Sequence, residues 1–277
     1  MKKSTAALFT AGAAGAAAAA LWLHRENKNL QAEQFVYRSP KVTGELEGYR
    51  LLQVSDLHNA RFGKDNCLLL ALMEAQMPDC IAITGDLIDS YRVRPALAYD
   101  FAQKAARLAP CYFVTGNHEH RLEQEELKEF LSRLEQLGVT VLRNEAVTMG
   151  MGASSFRLLG VDCQQGRTDT VEKLMAGARP GQLQILLSHK PHYAENYARA
   201  GVDLVLCGHA HGGQFRLPVV GGLFAPGQGI VPKYTAGMYR LGEQTTMLVS
   251  RGLGNSSFPL RVGNPPQLCV VTLRHGE

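Results

Sequence analysis

The 277-residue chain contains no CxxC pair. Its six cysteines (Cys67, Cys80, Cys111, Cys163, Cys207 and Cys269) stand singly, most of them in apolar stretches. That spacing favours buried free thiols over a disulfide framework or a zinc–thiolate site. Basic blocks and stripes of interleaved aromatic and basic residues are also missing, and the formal net charge is only +4. Charge therefore gives no reason to expect nucleic-acid binding. No segment repeats another. With 45% hydrophobic and 19% charged residues, the composition is that of a folded protein with ample core.

Charge is absent again from Ser4 to Leu23, behind Lys2 and Lys3. This stretch of Ala, Gly and Leu is about one bilayer's worth of helix, and it also has the layout of a secretory signal. Ala18 and Ala20 could close a cleavable signal. Leu21-Trp22-Leu23 carry the apolar run further, with Trp22 at an interfacial position. Residues 1–25 therefore read as a membrane anchor or signal segment, with the uncleaved anchor favoured over cleavage and over a soluble Ala-rich helix. The positive-inside rule puts the body on the extracytoplasmic face, although Arg25 and Lys28 oppose this. Unpaired cysteines also sit awkwardly with an oxidising compartment. Secretion after cleavage and the cytoplasmic face are the alternatives.

Residues 26–44 read as a linker leading to an edge strand, and residues 45–277 as one domain. Apolar strand-like runs at 49–54, 80–84 and 111–114 alternate with helical stretches at 66–76, 95–108 and 123–137. Short strands or hairpins follow over 139–161, then a buried-type run at 183–187, a helix at 192–200 and another run at 202–207. Beyond Gly213 the chain is rich in Gly and Pro, with late strands at 236–241, 246–250 and 268–273. Strands alternating with helices, then strands at the end, predict an α/β fold with a two-sheet core.

Five of these runs end at once in residues able to bind metal: Asp56 and His58, Asp86, Asn117 and His118, His189, and His209 with His211. Each has an ordinary reading taken singly, as a turn former, a helix cap or a surface residue. Together they are improbable by chance, because strand ends in open α/β sheets converge on one crevice. His209 and His211, one residue apart at a Gly-flanked strand exit, fall on the same side of the backbone. Two carboxylates, one amide oxygen and four imidazoles are too many donors for one tetrahedral ion. They suit two ions about 3.5–4 Å apart, a pair that clamps attacking and leaving oxygens at phosphorus. Mixed oxygen and nitrogen ligation without thiolate leaves Mn, Fe and Zn open.

Asp56-Leu-His58, Gly85-Asp86, Gly116-Asn117-His118-Glu119, His189 and Gly208-His209-Ala-His211 resemble, in order, the five blocks of the calcineurin-like metallophosphoesterases. Gly208-His-Ala-His-Gly-Gly-Gln214, Leu217-Pro218, Ser250-Arg-Gly-Leu-Gly254 and the apolar N-terminus resemble the membrane-associated bacterial phosphodiesterase-like branch. The resemblance implies an αββα sandwich and roles by position. Asp56, His58 and His211 would hold one ion, Asn117, His189 and His209 the other, and Asp86 would bridge. A metal-bridging hydroxide would attack a phosphodiester, phosphomonoester or pyrophosphate. His118 would serve the leaving oxygen, with Asp89 setting its tautomer, and Glu119 would stand behind the ligands.

Arg61 and Lys190 are candidates for binding phosphate oxygens, against an ordinary surface role. His192 reads as a helix start in preference to a substrate contact, and Cys207 as a buried strand thiol. The segments that would choose substrate, 149–167 and 215–239, carry no decodable pattern. A membrane anchor makes a lipid-linked or nucleotide-sugar phosphoester reasonable. A nuclease-type phosphodiesterase and a non-catalytic metal-bound scaffold are the competing functions, and a monomer is the expected state.

Overall fold

The central strands carry apolar residues on both faces, so each must be covered from two sides. In the computed structural model, which describes residues 15, 17–18, 20–164, 168–255 and 258–276, two sheets back onto each other and helices cover their outer faces. The strands are β1 (Gln31–Arg38), β2 (Arg50–Val54), β3 (Cys80–Ile83), β4 (Cys111–Phe113), β5 (Val139–Val141), β6 (Glu145–Met151), β7 (Ser154–Gly160), β8 (Leu183–Leu187) and β9 (Leu204–Cys207). Four two-residue strands follow, β10 (Arg216–Leu217), β11 (Gly221–Gly222), β12 (Phe224–Ala225) and β13 (Gly229–Ile230). The last three are β14 (Gly237–Leu241), β15 (Thr245–Val249) and β16 (Gln267–Arg274). The helices are α1 (Cys67–Ala75), α2 (Pro95–Ala105), α3 (Gln124–Gln136), α4 (Thr168–Met175) and α5 (Ala194–Arg199).

The first sheet runs β1-β16-β2-β3-β4-β5 and the second β14-β15-β9-β8-β7-β6. β2 to β5 are parallel, as are β7, β8, β9 and β15. All their carboxyl ends therefore open at one edge of the sandwich, the edge at which α/β sheets bind ligands.

Strand alternation sorts side chains into three cores. Leu51, Ala82, Ile185, Leu187, Leu204 and Leu206 point between the sheets. Leu52 and Ile81 point outward to Met73 of α1, Phe101 of α2 and Phe130 of α3. Leu186 and Val205 point the other way, to Val171 of α4 and Tyr197 of α5. The result is the helix–sheet–sheet–helix sandwich expected of the sequence.

Stretch 26–44, expected as a linker, contains β1, which pairs with β16 over all eight of its residues. Helix α4 and the β10–β13 hairpins lie in stretches where the sequence predicted no element. The predicted N-terminal segment falls largely on residues 1–14, outside the described residues. Among the described residues no helix is long and apolar enough to cross a membrane.

Candidate metal centre

Tight turns at the strand exits gather the polar residues. Asp56, His58, Asp86, His209 and His211 all have φ between 45 and 67°. Left-handed backbone is unusual away from glycine, costs on the order of 1–3 kcal/mol per residue, and clusters at functional sites. Five strained residues here point to a geometry kept for chemistry. Glycines let the turns approach each other. A Cβ on Gly116 would strike the Asp86 carboxylate and backbone, and one on Gly208 would strike Ser55 and Asp56.

The seven residues predicted as metal ligands come together, and all but Asn117 are buried. Nε2 of His58 and of His211 lie 3.3 Å apart, with Asp56 Oδ1 at 3.9 and 3.5 Å from them. On the other side His189 Nε2 is 3.1 Å from His209 Nδ1 and 3.1 Å from Asn117 Oδ1. Asp86 lies between the two groups, its Oδ2 3.2 Å from His189 Nε2 and 3.5 Å from His58 Nε2. Its other oxygen accepts the His118 backbone N–H at 2.8 Å.

Electrostatics match this arrangement. Burial holds the His58 and His211 imidazoles down to about 3 and the His209 imidazole well below its usual range. These rings are therefore neutral and keep a lone pair for a cation. Burial also acts on His189, but the Asp86 carboxylate overcomes it and raises that ring to about 9. Despite burial, His189 holds Asp86 well below the usual carboxylate range. Asp56 is pushed up by burial and by the charge of Asp86. Ring nitrogens turned toward each other at 3.1–3.3 Å, in a buried set of mixed N and O donors, fit divalent cations, which would replace the shared protons.

Surrounding groups hold the ligands in place. Glu119 is fully buried, and its carboxylate accepts the N–H groups of Asp86, Leu87, Ile88 and Gly116 at 2.9, 2.8, 3.2 and 2.7 Å. It thereby ties the β3 exit to the β4 exit. Burial and the charge of Asp86 push it up to about 7 against those backbone donors. Asn264 donates to the His211 carbonyl at 2.7 Å. The buried Arg261 donates to the Arg251 and Gly254 carbonyls, shaping the loop behind Asp56. Glu119 is flagged by its block in the sequence, although its four-bond role is not. Arg261 carries no sequence signal.

A cleft of about 510 Å³ opens over the cluster, lined among others by His118, Arg121, Lys190 and His192. His118 Nδ1 accepts the Ser90 backbone N–H at 3.0 Å, so the ring proton is assigned to Nε2. Asp89 Oδ1 is farther from Nδ1, at 3.6 Å, and accepts the Tyr91 N–H instead. Arg121 Nη1 is 3.2 Å from Nε2. Neither Ser90 nor Arg121 was visible in the sequence as part of this corner. Of the two basic candidates, Lys190 lines the cleft, whereas Arg61 is exposed and is not among its lining residues. Cys207 is a buried strand thiol, as expected.

The chain matches a family model described as calcineurin-like phosphoesterase over residues 49–213. It is 30% identical to Phosphodiesterase YaeI of Escherichia coli, over 81% of this chain and 82% of that one. It is 29% identical to the metallophosphoesterase YkuE of Bacillus subtilis, over 99% of both. A dimetal phosphatase from Danio rerio shares the fold, with a TM-score of 0.50 at 12% identity over 82% of this chain and 93% of its own.

Proposed function

The chain belongs to the calcineurin-like phosphoesterase family and is a metal-dependent phosphoesterase; from that premise we propose that it cleaves phosphodiester, phosphomonoester or pyrophosphate bonds with two divalent ions. Asp56, His58 and His211 would hold one ion and Asn117, His189 and His209 the other, with Asp86 common to both. The observation that carries this reading is the position of the Asp86 carboxylate, within 3.5 Å of one imidazole from each group. When bound, such a pair supplies Lewis acidity to phosphoryl oxygens and lowers the pKa of water.

The remaining work belongs to the chain's own groups. His118 projects its Nε2–H into the cleft, where it can donate a hydrogen bond to the leaving oxygen and stabilise the charge that develops there. Arg121 Nη1 offers a second donor to the same space, so an anionic oxygen there would satisfy both. Lys190 supplies further positive charge from the opposite strand exit. Burial lowers the His118 pKa and keeps the ring neutral, while the charges of Asp86 and of Asp89, 3.6 Å from Nδ1, oppose that shift. The Glu119 anchor keeps the Asp86 turn from shifting when charge develops.

The uncharged run from Ser4 to Leu23 supports attachment to a membrane with the body on the extracytoplasmic face. A lipid-linked or nucleotide-sugar phosphoester fits that location. In this reading residues 45–277 work as one catalytic domain in a monomer.

The test is hydrolysis of a panel of mono-, di- and pyrophosphate esters after chelation and restoration of Mn, Zn or Mg. Activity that is lost with the metal and regained on restoration is expected. A metal-loaded protein that cleaves none of them would overturn the reading and favour a binding scaffold.

A further inference from the structure

The hairpin β12–β13 borders the cleft, with Phe224, Pro226 and Gly227 forming part of its wall, and the hairpin β10–β11 precedes it directly in the chain. Both hairpins carry exposed apolar side chains. Val219 is fully exposed, Ile230 81% and Val231 65% exposed, and Val220 and Phe224 are more than half exposed. Single exposed apolar side chains are ordinary, but five of them on two consecutive hairpins beside a cleft mark a contact surface. Val219 and Val231 also have φ of 70° and 52°, a backbone that β-branched residues avoid. Strain of this kind at water-facing valines gives the fold nothing by itself.

Direct contacts carry this surface to the N-terminal part of the chain. Phe215 packs on Phe258 with ring centroids 5.0 Å apart, and Gln214 donates to the carbonyls of Phe258 and Leu260. Pro259 and Leu260 share a cavity wall with Ala20, Leu23 and His24. Asn27 Oδ1 accepts from Asn255 Nδ2 at 2.8 Å and from the Arg261 N–H at 3.2 Å, pinning helical residues 20–26 to that loop. Those residues expose Leu21 and Trp22. The described end of the uncharged run, Ala20 to Leu23, thus meets the loop that contacts the start of the first hairpin.

Charge identifies the partner. From Leu204 to Gly242 the sequence has no carboxylate side chain, and Arg216, Lys233 and Arg240, all at least partly exposed, lie within and just after the hairpins. A basic, apolar edge complements an anionic lipid surface.

We propose that this edge is a membrane-seated lip, with Val219, Val220, Phe224, Ile230 and Val231 entering the interfacial layer of an anionic bilayer, so that the cleft receives phosphoesters carried on lipids. The substrate half of this statement rests on the phosphoesterase reading; the seating half does not. The chain has one tryptophan, Trp22, which allows a clean optical test. Full-length protein carrying Trp22→Phe and Ile230→Trp is mixed with phosphatidylglycerol–phosphatidylcholine vesicles containing brominated acyl chains. Quenched, blue-shifted emission is expected. Emission equal to that in buffer would overturn the proposal and leave the patch to a protein partner.

In parallel, Val219→Ser, Ile230→Ser and Val231→Ser are combined in one full-length variant. Hydrolysis of soluble bis(p-nitrophenyl) phosphate should be unchanged, while hydrolysis of a phospholipid phosphoester in vesicles should fall roughly tenfold or more, since each side chain's burial is worth about that in partition. Equal loss on both substrates, or none on either, would contradict the lip. Quenching without any hydrolysis would sink the phosphoesterase reading and leave the seating intact.

Discussion

Glu119→Ala should be the most damaging change that replaces no proposed metal ligand. The carboxylate is fully buried and is the shared acceptor for four backbone N–H groups at 2.7–3.2 Å. Removing it leaves those donors without that acceptor. At about 1–3 kcal/mol for each buried donor left unpaired, the loss is at least about 4 kcal/mol. That is a large part of the 5–15 kcal/mol by which domains of this kind are typically stable, about. For a chain of this size it corresponds to a fall in Tm of roughly 8 °C or more. Glu119→Gln keeps one oxygen but turns an NH2 group toward two of the donors, so it should fall between wild type and Ala. Thermal unfolding followed by circular dichroism, with metal content measured on the folded fraction, reads both effects. An Ala variant with wild-type Tm and full metal loading would refute the anchor.

Other changes separate the proposed roles. Asp86→Asn should cost more activity than Asp56→Asn, because Asp86 faces both imidazole groups; equal and near-normal rates in both would remove the shared-ligand role. His118→Ala should keep its metal and slow esters of poor leaving groups most, measured across a series of aryl phosphates; loss of metal instead would make His118 structural. Arg261→Met should lower Tm while leaving leaving-group dependence unchanged, because Arg261 holds the loop behind Asp56 through backbone carbonyls; a changed leaving-group dependence would place it in the chemistry.

The gathering of the site was legible because its residues announce themselves twice. Each follows an apolar run, and strand ends in such sheets share one crevice. The same runs exposed the strands, whose two buried faces leave little room for polar residues. Helix α4 escaped notice because it is only eight residues long and follows a Gly- and Gln-containing stretch. The β10–β13 hairpins pair only two residues each, too few for alternation to register. Stretch 26–44 read as a linker because β1 is polar on its exposed side, and only its pairing with β16 makes it part of the sheet. Ser90 contributes through a backbone N–H, which residue identity cannot reveal. Arg121 and Arg261 act across loops whose paths depend on tertiary packing. The left-handed backbone at Asp56, His58, Asp86, His209 and His211 is likewise a property of the folded turns.

Metal stoichiometry tests the central claim most directly. Chelated protein is titrated with Mn or Zn while bound metal and phosphoesterase activity are followed together. Two ions per chain are expected, with activity complete only at the second equivalent and both sites weakened in Asp86→Asn. Full activity at one ion per chain, or undiminished binding of two ions by Asp86→Asn, would contradict it.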